Sequence, residues 1–136
     1  AKLAESLVSG EFRGRVQLSN SRETNELLRL IKYSYFTVSS RYHGIVSSFA
    51  NLVPAIGIGW SHKYGHLFGD FGLNDYEVKS PGDAERVESI LTTLCDEGSN
   101  EFVREKLKAR IRELEKANSN MWNHLCVNLE QHYLSK

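Results

Sequence analysis

Between Tyr35 and Trp60 the chain reads YFTVSSRYHGIVSSFANLVPAIGIGW. The β-branched and aromatic run Tyr35–Val38 predicts a buried strand. Ser39 or Ser40 can cap a following helix, which carries Gly44, Ile45, Val46, Phe49 and Ala50. Pro54 marks its end, because the residue before a proline avoids helical angles. Ala55 to Trp60 (AIGIGW) reads as a second short strand, where Gly57 and Gly59 allow close approach of a backbone or ligand. A strand, a helix and a strand in this order imply a parallel pair joined by a right-handed crossover.

The flanking sequence extends this pattern. AKLAESLVSGEF at the start predicts a helix stopped by Gly10, and Arg15 to Leu18 a short strand. Ser19, Asn20 or Ser21 can cap a helix through ETNELLRLIKYS, with Leu27, Leu28, Leu30 and Ile31 as its buried stripe. His62 to Phe68 predicts a short helix stopped by Gly69 and Gly72, and Tyr76 to Val78 a third strand. Asp83 caps a helix through Val87, Ile90, Leu91 and Leu94 that ends at Gly98. From Ser99 on the composition is helical, with a stripe of Val103, Leu107, Ile111 and Leu114. Ala117 to Trp122 (ANSNMW) bends or splits that helix. Met121, Trp122, Leu125, Leu129 and Tyr133 then continue an apolar face, which needs a cover. The reading is α/β: a Rossmann-like domain over residues 1–98, with helices on both faces of a parallel sheet, and a C-terminal helical segment over 99–136.

A chain of 136 residues fits one domain with a real core. The formal net charge is zero, so no global field draws it to nucleic acid or an anionic membrane. No apolar run is long enough to span a bilayer and no signal peptide is expected. Cys95 and Cys126 lie far apart on helix-like segments and suit neither a metal knuckle nor a disulfide framework. A reducing, cytoplasmic setting is the expectation. The first residue is Ala and the first element a helix without its preceding strand. This fits a piece of a larger protein, or a trimmed tag or omitted first residue.

Ligands of open α/β sheets bind outside the carboxyl ends of the strands. Two turns occupy such ends: Ser39 to His43, and Trp60 to Lys63. A helix start there offers unpaired N–H groups and partial positive charge. Arg41 adds a planar fork that matches a carboxylate or phosphate. His43 adds an imidazole that can donate or accept a proton near neutral pH. Gly44 leaves out a side chain where a ligand would need room, and Lys63 can reach an anion in the same crevice. The competing reading is a solvated Arg41, a His43 packed on the sheet and an exposed surface Lys63. His62, His66 and Asp70 recur every fourth residue, but Gly65 and Gly69 argue against a long helix there and the HEXXH glutamate is missing. Neither a metal nor a cofactor is expected.

Ser39 to Leu73 resembles the polysaccharide pyruvyl transferase family. The family pattern is a strand, a Ser-Arg-X-His turn, a small residue, a helix ending before Val-Pro, a short strand, a Lys and a distal Gly-Leu. This chain supplies Ser40, Arg41, Tyr42, His43, Gly44, Val53, Pro54, Ile56, Ile58, Lys63, Gly72 and Leu73 in that order. The resemblance implies transfer of a pyruvyl unit from phosphoenolpyruvate to a sugar hydroxyl of a cell-wall or exopolysaccharide glycan. It implies a GT-B-like fold of two Rossmann-like halves, of which this chain is the C-terminal, donor-binding one. Arg41 and His43 would contact phosphoenolpyruvate, with His43 moving the proton and the Tyr42 N–H as a further donor; Ser40, Gly44 and Lys63 complete the expected substrate-binding set. A missing N-terminal domain would supply further basic residues, so the fragment alone is expected to be nearly inactive. Two other readings stand beside this one. The first is half of a nucleotide-sugar GT-B glycosyltransferase. The second is a non-catalytic interaction module, with a homodimer through the C-terminal helix.

Overall fold

The structure, a computed structural model, describes residues 23–59, 61–80 and 82–134. The expected first helix, the Arg15 to Leu18 strand and the Ser19 to Ser21 caps lie outside these residues. Within them the order is α1 (Thr24–Lys32), β1 (Thr37–Ser39), α2 (Tyr42–Ala50), β2 (Ala55–Ile58), α3 (His62–Asp70), a 3₁₀ turn (Asn74–Tyr76), β3 (Glu77–Val78), α4 (Ala84–Cys95) and α5 (Glu97–Leu134). The expected α/β class is observed, with a small sheet and mostly helical structure around it.

The sheet has the order β1-β2-β3, all parallel. Thr37 pairs with Ala55 and Ser39 with Gly57; Gly57 in turn pairs with Glu77. A Cβ on Gly57 would meet Phe68 of α3 and Ile45 of α2, so both helices lie on one face of β2. Ile56 points to the other face by the two-residue alternation of a strand, and it too is fully buried. Buried side chains of α4 and α5 (Ile90, Leu94, Val103, Leu107) join these residues in one core.

The helices that cross between strands end alike. At the end of α2, Leu52 N–H bonds to Phe49 C=O and Val53 N–H to Ser48 C=O. At the end of α3, Gly72 N–H bonds to Gly69 C=O and Leu73 N–H to Phe68 C=O. This reversal needs a left-handed residue after the cap. Gly72 meets the need at φ 63, whereas Leu52 does so at φ 59 with a Cβ in the way. That conformation costs a non-glycine residue about 1–2 kcal/mol. Arg104 of α5 donates to the Leu52 carbonyl at 3.0 Å and to the Tyr35 carbonyl at 2.7 Å. Its Nε donates to Asn100 Oδ1 at 2.8 Å, and buried Asn100 donates to Leu94 C=O at 3.1 Å. This network pins the C-terminal end of α2 and the entry to β1 onto the last helix.

Several expectations are corrected. Helix α1 has Glu23 at its N-cap and no buried residue; Leu27, Leu28 and Leu30 are exposed. Strand β1 is not fully buried, since Val38 lies on its exposed side. Helix α3 runs through Gly65 and Gly69 and stops at Gly72. A glycine costs about 1 kcal/mol in a helix interior, and burial of Tyr64 and Phe68 outweighs it. The break before the last helix falls at Asp96, not Gly98, because the Asp96 carboxylate accepts from Ser99 N–H at 2.8 Å. Helix α5 is one continuous helix through Ala117 to Trp122, not a split pair. Its stripe is buried at Val103 and Leu107 but exposed by Leu114, and every described residue from Arg112 to Tyr133 is exposed. That outer stretch rises about 33 Å.

Candidate functional site

Strands β1 and β2 are parallel neighbours, so the turns that follow them leave the sheet at the same edge. The first turn leads into α2, whose N-cap is Arg41 in extended geometry with no side-chain cap bond. Capping by Ser40, or by Ser39 in the usual way, is therefore not observed. Instead the Ser39 hydroxyl accepts from Arg41 N–H at 3.0 Å and donates to Arg41 C=O at 3.1 Å. Gly44 N–H and Ile45 N–H bond back to the Arg41 carbonyl at 3.0 and 3.3 Å. The N–H groups of Tyr42 and His43 precede them in the first turn, where an α-helix has no internal acceptor. Arg41 and His43 are exposed and Tyr42 is half-buried. Among the described residues Arg41 forms no ion pair.

The place a Gly44 Cβ would take lies 2.5 Å from Ser39 Oγ. The chain's own hydroxyl fills that space, so the glycine lets the turn close on itself.

The second turn leads into α3. Ser61 is its N-cap and accepts from Lys63 N–H over a long 3.5 Å. His62 and Lys63 are exposed in the first turn. Tyr64, next along, turns inward and is buried. Its ring occupies the space over Gly59, where a Cβ would come within 2.8 Å of it. Its hydroxyl donates to Ser40 C=O at 2.8 Å, 24 residues away. The Tyr42 ring meets the Tyr64 ring edge-on at 5.9 Å and the His43 imidazole at 5.8 Å. Thus the structure brings Ser40, Arg41, Tyr42, His43 and Gly44 together in one turn, and Tyr64 joins that turn to the one carrying Lys63. A cavity of about 800 Å³ lies elsewhere, along α1 from Glu23 to Ser34, and contains no residue of either turn.

His62, His66 and Asp70 share the continuous α3, and the two imidazoles meet edge-on at 6.0 Å. Among the described residues no group of three or more His, Cys, Asp or Glu side chains is placed to hold a metal ion. Burial, with the Asp75 charge as a lesser cause, raises the Tyr76 phenol above its ordinary value just before β3. The Asp96 carboxyl is held below the usual range by the Ser99 N–H and then the Ser99 hydroxyl.

Sequence reasoning missed Tyr64. Its signal was present, because an aromatic three residues after the capping Ser61 falls on the first inward position of a short amphipathic helix. Asn100 and Arg104 were also missed. They lie on the buried face with Val103 and Leu107, at the i, i+3, i+4, i+7 spacing, where a polar pair demands partners.

Residues 9–62 match the family model described as polysaccharide pyruvyl transferase. The match bears out the family resemblance and names a family of transferases. It takes in the Ser39 to Gly44 turn and ends at His62, one residue before Lys63. It covers less than half of the chain, and its first residues precede Glu23. No curated protein and no solved structure matched this chain.

Proposed function

We propose that this chain is the donor-binding half of a pyruvyl transferase, GT-B-like in its complete form, acting in the cytoplasm. It transfers the pyruvyl unit of phosphoenolpyruvate to hydroxyls of a sugar in a cell-surface polysaccharide. The observation that carries the reading is the family match across a turn where Arg41 and His43 flank a helix start without internal acceptors.

Phosphoenolpyruvate presents a phosphate and a carboxylate close together. Free N–H groups at a helix start and a guanidinium suit both. In the reaction the methylene carbon gains a proton and becomes a methyl group. Positive charge then develops on the adjacent carbon, which a sugar hydroxyl attacks. The carbon–oxygen bond to phosphate breaks and phosphate leaves with the electron pair. A second hydroxyl of the same sugar closes the ketal where a ketal is the product. Arg41 holds the anion and stabilises the departing phosphate. His43 delivers the proton to carbon or takes it from the hydroxyl. The exposed Lys63 adds positive charge from the neighbouring turn, and Ser40 and Gly44 shape the backbone that presents the N–H groups. Acceptor contacts are assigned to a preceding half.

The test is ligand-dependent thermal stability. Phosphoenolpyruvate should raise the unfolding midpoint and nucleotide sugars should not. Stabilisation by a nucleotide sugar alone would transfer the assignment to a glycosyltransferase. In the full-length enzyme, His43→Ala should abolish turnover with the fold intact; retained turnover removes His43 from the proton-transfer step.

A further inference from the structure

We infer that Tyr64 is a positioning residue for His43, and that the turns after β1 and β2 act as one unit through it. The assignment rests on the reading of Arg41 and His43 as the residues that face the ligand.

A buried ring that only filled space over Gly59 would need no oxygen. Tyr64 carries one, and it donates to the carbonyl of Ser40, the residue that precedes the N-cap of α2. Among the described residues this is the one hydrogen bond between the Ser39 to Gly44 turn and the first turn of α3. The peptide unit it holds, Ser40 C=O to Arg41 N–H, is held again from the other side, where Arg41 N–H donates to Ser39 Oγ at 3.0 Å. Both ends of that unit are therefore restrained, and with them the direction in which α2 starts. The Tyr42 ring lies between the buried Tyr64 and the exposed imidazole, near-perpendicular to each at 85° and 82°. Edge-to-face contacts of this kind are directional. The orientation of His43 is thus passed outward from the core through two rings, while the hydroxyl fixes the backbone beneath it. A helix start that presents N–H groups to an anion is only as well aimed as that backbone.

The experiment uses Tyr64→Phe in the 136-residue chain. Amide hydrogen exchange, the His43 Hε1 resonance at fixed pH, and phosphoenolpyruvate affinity are each compared with wild type. Loss of one hydrogen bond should speed exchange of the Arg41, Gly44 and Ile45 amides by roughly two- to tenfold. The His43 resonance should move, and the affinity should weaken by a similar factor. Amides in β2 and at the C-terminal end of α2 should keep their rates. The assignment is overturned if the His43 resonance and the local exchange match wild type, or if exchange rises uniformly through the core. A variant that does not fold also overturns it, because its ring packing is intact and only a local effect is expected. If wild type fails to bind phosphoenolpyruvate, the pyruvyl-transfer reading falls, while the resonance and exchange still decide the role of Tyr64.

Discussion

Gly57→Ala tests the packing that brings α2 and α3 to one face of the sheet. The new Cβ would fall against Phe68 Cε2, 2.8 Å from Phe68 Cζ and 2.9 Å from Ile45 Cδ1. Relaxed carbon–carbon contacts lie near about 3.5–4.0 Å, so each neighbour must retreat by roughly 1 Å. Neither has room, since both Phe68 and Ile45 are fully buried and Phe68 is already edge-on to Phe49 at 5.3 Å. Overfilling a packed core costs about 1–3 kcal/mol. Restricting the unfolded chain by removing a glycine returns about 0.4–1 kcal/mol. The net expectation is a loss of about 1–2 kcal/mol, read by urea unfolding with an unchanged m-value. Adding Phe68→Leu opens space on the side that must yield. The double variant should then cost at least about 1 kcal/mol less than the sum of the single ones. A Gly57→Ala chain as stable as wild type, or strictly additive costs, would refute the packing argument.

Three further outcomes are expected. Arg104→Ala should lower stability by about 2 kcal/mol in urea unfolding, because the Leu52 and Tyr35 carbonyls lose a charged donor, and Arg104→Lys should recover less than half of it. The Asp96 carboxyl is depressed in the folded chain, so its contribution is present above the unfolded value and lost as pH falls through the folded one. Thermal melts across the acid range should accordingly show a shallower loss for Asp96→Asn than for wild type. Truncation after Ile111 should remove helical circular dichroism while changing core stability by less than about 1 kcal/mol, since the described residues beyond it are exposed; a collapse of the core transition would contradict this.

The sequence was readable where local chemistry decides. β-branched residues before Ser39, Pro54 after the second helix and the apolar AIGI run mark two strands and the helix between them, and the structure has all three. Asp83 caps α4 as expected, accepting from Arg86 N–H at 3.0 Å. Gly72 stops α3 because the reversal there needs a left-handed residue. Reading failed where distant parts of the chain decide. Leu52 gives no local hint of a left-handed turn; the pin from Arg104, 52 residues later, helps hold it. The leucines of α1 have amphipathic spacing, yet periodicity says only which side would be buried, not whether a neighbour covers it. Gly65, Gly69 and the Asn-Ser stretch of α5 each weaken a helix slightly, and the flanking residues or the core outweigh them. At the candidate site, the placement of Arg41 and His43 at one helix start was legible from the strand-to-helix pattern. The role of Tyr64 depends on the parallel register of two strands, which one stretch of sequence does not encode.

The pin at Arg104 also sets an order of events during synthesis. The Tyr35 carbonyl, just before β1, waits for a donor 69 residues downstream. At roughly 5–20 residues per second, a ribosome takes about 3–14 s to cover that distance. For that interval the nascent βαβ unit has emerged without its final fastener, so its first strand is exposed to chaperones and to neighbouring chains.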